Sequence, residues 1–176
     1  MRKLSIAIAV AATLGLALLG SAQQRQRVSP HETVSIELAG KKIEIEYGRP
    51  YRKGRKIAGG LVPYGQVWRT GADEATRLTT EADIKIGNLL VPAGSYSLFT
   101  LPQEDSCTLI VNTVDKQWGA FKYDAAKDLG RVPMQVGEND NMVEQFTISL
   151  RPAGERKAML RMEWEYAWIA VPIELQ

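Results

Sequence analysis

The stretch VSIELAGKKIEIEY, residues 34–47, decides how the rest of the chain is read. Val34, Ile36 and Leu38 alternate with polar residues, and so do Ile43, Ile45 and Tyr47. Side chains of an extended chain point to opposite faces in turn, so each run lays one face on a core and the other in water. Gly40-Lys41 separates the two runs, which predicts a hairpin.

The same grammar continues outward. Ile84-Lys85-Ile86, Gly87-Asn88 and Leu89-Leu90-Val91 predict a second hairpin, because glycine accepts the positive φ of a two-residue turn. Pro92-Ala93-Gly94 fits a turn feeding a strand over Ser95 to Leu101, and Cys107 to Val111 is placed to pair back onto it. Farther on, Phe146, Ile148 and Leu150 alternate, and Pro152-Ala153-Gly154 reads as a turn. Ala158, Leu160, Met162, Trp164 and Tyr166 then share one side of a long strand, and Trp168 to Leu175 forms a last one, with Pro172 marking an edge or a bend. Only Pro63 to Val67 and Asp124 to Asp128 suggest short helices. Hairpin-linked strands without alternating helices predict an all-β fold: an antiparallel two-sheet sandwich, jelly-roll-like, with at most one or two short helices.

The beginning of the chain predicts export. Arg2 and Lys3 precede an apolar run from Leu4 to Leu19, and Gly20-Ser21-Ala22 offers a small-residue cleavage site. Residues 1–22 are therefore read as a signal peptide, 23–32 as a flexible leader and 33–176 as a single β-sandwich domain. The expected location is the periplasm or the cell exterior, with no membrane span after processing. Cleavage after Ala22 leaves 154 residues of the 176 and removes two of the 22 basic residues, so 20 bases balance 20 acids. A neutral chain gives no support for a nucleic-acid partner. Cys107 is the sole cysteine, so no intrachain disulfide forms. Its apolar neighbours suggest a buried, inert thiol.

Residues 47–76 differ from the rest. They hold six glycines and concentrate Arg49, Arg52, Lys53, Arg55, Lys56 and Arg69, with weak strand periodicity. Such a loop on a β scaffold is a common place for function. Arg49-Pro50, Lys53-Gly54-Arg55, Gly60-Leu61-Val62-Pro63-Tyr64-Gly65 and Trp68-Arg69-Thr70-Gly71-Ala72 resemble motifs of the bacterial domain-of-unknown-function 2911 family. Pro92-Ala93-Gly94, Tyr96-Ser97-Leu98-Phe99 and Trp118-Gly119 are similar to it as well. The family usually carries asparagine where this chain has Asp73. The resemblance implies an exported β domain and assigns no catalytic residue.

Residue chemistry supplies the candidate ligand-binding set: Arg49, Arg55, Trp68, Arg69, Asp73, Glu74 and Thr76. Arginine forks among glycines suit a phosphate, sulfate or carboxylate, with ion pairs to neighbouring strands as the structural alternative. Trp68 to Thr76 brings together an aromatic plane, a fixed cation, two carboxylates and hydroxyls, which suit a saccharide. A structural alternative is an Arg69-carboxylate salt bridge that pins the loop, with Trp68 in the core. Asp73 and Glu74 are adjacent, so a strand would point them to opposite sides, which disfavours a glycosidase pair.

Other chemistries are poorly supplied. With one histidine, His31, and one cysteine, a zinc site of His and Cys ligands is not expected, and no cofactor is implied. Glu138 to Asn141 reads as a polar turn rather than a calcium loop. Walker and G-x-S-x-G patterns are absent. Three functions stay open: a module binding a saccharide or small anion, an envelope interaction protein using Trp164 to Trp168 as its surface, and a hydrolase using Glu74 or Asp73.

Overall fold

Ala39 and Gly40 take φ of 46° and 73°, the left-handed pair that suits a two-residue hairpin between right-twisted strands. They join β1 (His31–Leu38) to β2 (Lys41–Gly48), with Leu38 facing Lys41. The turn thus falls one residue earlier than Gly40-Lys41, because Lys41 already pairs. β1 starts at His31, so the last two residues assigned to the leader lie in the sheet. The computed structural model describes residues 27–176; the expected signal peptide lies outside the described residues.

After a long loop come β3 (Thr76–Thr80), β4 (Ile84–Ile86), β5 (Leu89–Val91), β6 (Gly94–Pro102) and β7 (Cys107–Asn112). β8 (Asp128–Gly154) and β9 (Lys157–Leu175) complete the chain. The described residues are all-β: their nine strands pair antiparallel in one sheet of order β1-β2-β3-β6-β7-β8-β9-β4-β5. Between β4 and β5 only Gly87 (φ 57°) turns left-handed, as a glycine-first hairpin turn requires. The β8–β9 turn lies at Glu155-Arg156, just past Pro152-Ala153-Gly154, because Gly154 still pairs with Lys157.

Of the two expected helices, one forms as a short 3-10 turn, Ala125–Lys127, whose first turn is capped by the Asp124 side chain accepting from the Ala126 N–H. Pro63 to Val67 is not helical. Gly65 sits at φ 72° and donates its N–H to the carbonyl of Pro102, which draws the segment onto the end of β6 instead.

β8 changes partner along its length. Residues up to Met134 pair with β7, and those from Gln135 pair with β9. Strands from both ends of the sheet feed one apolar cluster: Ile43, Ile45 and Tyr47 of β2 lie in it with Ile84, Ile86, Leu160 and Met162. On the opposite face of β6 and β7, Phe99 and Ile110 form a smaller cluster with Ala75. The central strands are therefore covered on both faces, which is why buried residues run consecutively there.

Beyond the strand ladders, the exit of β2 is knitted to the middle of β8. Tyr51 bridges Gln145, the Arg52 N–H donates to the Glu144 carbonyl (2.8 Å), and the Phe146 N–H donates to the Pro50 carbonyl (2.9 Å). The buried Tyr47 hydroxyl accepts from the Ile148 N–H at 3.0 Å and donates to Glu32 Oε2 at 3.2 Å. Burial pushes the Tyr47 hydroxyl up to about 12.

In β9, Ala158, Leu160, Met162 and Trp164 are buried in strict alternation. Glu165 then takes φ 57° and the phase slips, so that Val171, Ile173 and Leu175 carry the inward positions. Tyr166, expected on the inward side with Trp164, is 55% exposed as a result. Opposite it, Glu138 pairs with Ala167 and Val143 with Glu165. Asn139 to Met142 therefore bulge out of β8, and Glu138 to Asn141 belong to a strand irregularity rather than a turn.

Tyr47→Phe leaves the Ile148 N–H without its acceptor. We expect a loss of about 1–3 kcal/mol, read in urea unfolding as a lower midpoint with an unchanged slope.

Candidate functional site

Trp68 to Thr76 is shaped by close backbone approach. Trp68 and Thr100 exchange both N–H···O bonds (2.8 and 2.9 Å), which sets the run beside β6. Thr70 is fully buried at φ 57°, a rare conformation for a β-branched residue. Its hydroxyl donates toward the Trp68 carbonyl and Thr100 Oγ1, and its own carbonyl accepts the Thr76 hydroxyl at 2.6 Å. The Ala72 N–H reaches the Gly48 carbonyl at 3.2 Å. A Cβ on Gly48 would lie 2.1 Å from the Ala72 carbonyl oxygen, so only glycine fits there. Thr76, one of the seven predicted ligand groups, is thus buried and holds the loop.

Asp73 departs from a strand as well, with φ 63°. Asparagine and aspartate tolerate this region best among non-glycine residues, which gives a physical reason for the family's usual asparagine. The turn breaks the alternation that would have separated Asp73 from Glu74. Both carboxylates instead converge on His31 Nε2, at 3.3 and 3.5 Å. Asp73 also accepts from the N–H groups of Val28 and Ser29, and Glu74 forms an ion pair with Arg27 at 2.9 Å. His31 and Arg27, outside the predicted set, complete the cluster; a lone histidine at a strand start gave no signal of this.

Arg69 is half-buried beside that cluster. Burial pulls its guanidinium below the usual arginine range, and the Asp73 charge opposes the shift. Among the described residues its Nε is buried without a hydrogen-bond partner, and the Arg69-carboxylate salt bridge weighed as the structural alternative does not form. The other two predicted arginines are committed elsewhere. Arg49 donates to the Phe146 carbonyl and Thr147 Oγ1 and pairs with Glu32 at 3.0 Å. Arg55 donates to the carbonyls of Arg52 and Tyr51 in its own loop.

The other side of the same loop walls a cleft of about 650 Å³, a size suited to a small ligand. Trp68 stacks on Trp164 (centroids 6.0 Å, planes 19° apart) and meets Phe146 edge-on at 5.1 Å. Tyr64 and Tyr166 add more open rings, and Trp168 lines the cleft with Arg161 4.3 Å over its centroid. Glu163 and Glu165 face the same space. Glu165 is held by Arg52 (2.7 Å) and the Ile57 N–H (3.2 Å), and Glu163 by Arg161 (2.9 Å). Cys107 also borders the cleft, where burial pushes its thiol up to about 12.

The structure therefore does not gather the predicted residues in one site. Only Trp68 lines the cleft; Asp73 and Glu74 converge on His31, Arg69 feels the Asp73 charge, Arg49 and Arg55 bond elsewhere, and Thr76 is buried. The cleft draws on residues far apart in the chain, so Tyr64, Glu165 and Trp168 could not be joined to Trp68 by spacing.

Fold and cleft together define a class: a single-sheet antiparallel β protein with an aromatic-walled cleft beside a strained polar loop. The chain belongs to the family described as "Protein of unknown function (DUF2911)", whose sequence model matches residues 29–173. No match was found among curated proteins or among solved structures. Among the described residues, no helix is long and apolar enough to cross a membrane.

Two predictions come from this geometry. Asp73→Ala removes the acceptor for Val28 and Ser29, so trypsin should cut after Arg27 faster than in the parent protein; an unchanged rate would show that these contacts do not hold the segment. Because the Cys107 thiolate is the reactive form and its pKa is raised to about 12, native protein should resist alkylation at neutral and mildly alkaline pH. Urea-unfolded protein should react fully, as mass spectrometry would report.

Proposed function

We propose that this protein is an exported small-ligand-binding β module whose ligand is a saccharide held in the cleft. The observation that carries this is the cleft lining: exposed aromatic rings at Tyr64 and Tyr166 beside the exposed carboxylates of Glu104 and Asp105, unpaired among the described residues. Sugar rings present C–H faces that pack on aromatic planes and hydroxyls that donate to carboxylates, so this pairing of groups suits them. The anion alternative has less support, because Arg49 and Arg55 already donate to protein acceptors.

The export reading places residues 1–22 in a signal peptide and the mature protein in the periplasm or outside the cell. A two-sheet sandwich, jelly-roll-like, is the finer architecture we propose for the sheet. It is supported by the larger apolar cluster, to which strands from both ends of the sheet contribute, and by the ties from Tyr47–Arg52 to Glu144–Ile148. A hydrolase built on Asp73 or Glu74 draws less support, since Arg27, Val28, Ser29 and His31 occupy those carboxylates. An envelope interaction surface at Trp164 to Trp168 would rest mainly on Tyr166, because Trp164 is buried.

Titration of a panel of cell-wall and storage oligosaccharides, followed by tryptophan fluorescence and calorimetry, tests the saccharide reading. Tyr64 is 41% exposed, so Tyr64→Ala should leave the fold intact and weaken binding about tenfold, a loss of about 1.4 kcal/mol. A panel without any binder, or a binder indifferent to Tyr64→Ala, would overturn it.

A further inference from the structure

The ionisable groups around the cleft are unevenly divided. Among the described residues that line it, Glu104, Asp105, Glu138, Glu163 and Glu165 stand against one base, Lys56. Glu163 and Glu165 are answered by arginines from neighbouring strands: Arg161 and Arg151 for the first, Arg52 for the second. The side chains of Glu104, Asp105 and Glu138 have no ion pair or hydrogen bond with any described residue. Glu104 and Asp105 sit in the turn between β6 and β7, closed by the Gln103 N–H donating to the Ser106 carbonyl. Glu138 stands in β8 where the strand begins to bulge.

A second observation concerns the rings. Arg161 is seated 4.3 Å from the Trp168 centroid, so this wall already holds one cation by its π face. The indole N–H of the same ring donates to the Glu138 carbonyl at 3.0 Å, which fixes the plane. Tyr64 and Tyr166 offer comparable faces that are 41% and 55% exposed. A cation over an aromatic face gains about 0.5–2 kcal/mol depending on desolvation, and unpaired carboxylates nearby add attraction that falls off over about 8–10 Å at ordinary salt. An anionic ligand would meet the opposite field.

We propose that the cleft takes a ligand bearing a protonated amine, whose ammonium group sits between the carboxylates of Glu104, Asp105 and Glu138 and the open tyrosine rings. This rests on reading the cleft as a ligand site and narrows the saccharide class to amino sugars. An aliphatic polyamine offers the same ammonium chemistry from a different source, so the test separates the two.

The experiment compares glucosamine oligomers, their fully N-acetylated counterparts, and spermidine. Each is titrated by calorimetry at mildly acidic pH, where the probe amines are protonated. The glucosamine oligomer should bind at least about tenfold tighter than its acetylated form, and added salt should shrink that ratio. Glu104→Gln with Asp105→Asn and Glu138→Gln should abolish the preference for the free amine while leaving the melting temperature unchanged. Equal or tighter binding of the acetylated oligomer would overturn the ammonium inference and leave the saccharide reading standing. Binding of spermidine but of neither sugar would keep the ammonium inference and overturn the saccharide reading. Failure of both the glucosamine oligomer and spermidine to bind would overturn the ammonium inference, as would a preference that survives the triple substitution.

Discussion

The tie between the exit of β2 and the middle of β8 is the constraint on which the rest of the structure depends. Residues 49–75 form a connection far longer than the ordinary loop of a compact domain. A segment of that length would be costly to order by itself, since each fixed residue loses about 1–2 kcal/mol of backbone entropy. Tyr47, Pro50, Tyr51 and Arg52 anchor its start to residues 144–148. From there the loop is caught at intervals: Gly65 on Pro102, Trp68 on Thr100, Ala72 on Gly48 and Ala75 on Gln117. Without the first anchor the later ones would have no register, and Trp68 would lose the strand that brings Phe146 and Trp164 against it.

Strain gathers where the function is proposed. Thr70, Asp73 and Glu165 all adopt left-handed backbone without being glycine. Each costs on the order of 1–3 kcal/mol and persists only where surroundings over-determine it. The compensation is visible in each case. Thr70 is held by three hydrogen bonds with Trp68, Thr100 and Thr76. Asp73 gathers two backbone N–H groups and His31. Glu165 takes Arg52 and the Ile57 N–H. Hydrogen bonds to charged groups contribute about 1.5–3 kcal/mol, enough to balance the conformational cost at the two carboxylates. The bend at Glu165 also opens β9 toward the cleft, exposing the Tyr166 ring.

The strands were legible because period-2 alternation reports the pleat directly, and β1, β2, β4 to β7 lie where it places them. Tyr166 shows where that reading stops. Alternation is a phase, and one inserted residue inverts every position after it; nothing in Trp164-Glu165-Tyr166 marks Glu165 as the slip, since the usual marker would be a glycine. The same blindness affected Asp73 and Glu74, whose convergence on His31 follows from a single left-handed residue. The loop of residues 47–76 was recognisable as unusual from its glycines, and Trp68 proved to face the cleft. Its partners Phe146 and Trp164 come from β8 and β9, and such long-range meetings leave no local trace in a sequence.

One short run serves two faces. Trp68 turns inward to the cleft, while Asp73 and Glu74 turn toward the segment from Arg27 to His31. Arg69 makes the link energetic as well as geometric. Its guanidinium is half-buried, its Nε has no hydrogen-bond partner among the described residues, and the neighbouring Asp73 charge is the one that favours keeping it ionised. A buried cation left without compensation is far more costly than a solvated one. Asp73 therefore both offsets Arg69 and receives Val28 and Ser29, so displacing that segment would change the solvation of the carboxylate on which Arg69 relies. Because Trp68 is the next residue along the chain, the position of the cleft wall and the seating of residues 27–31 are set by the same few backbone torsions.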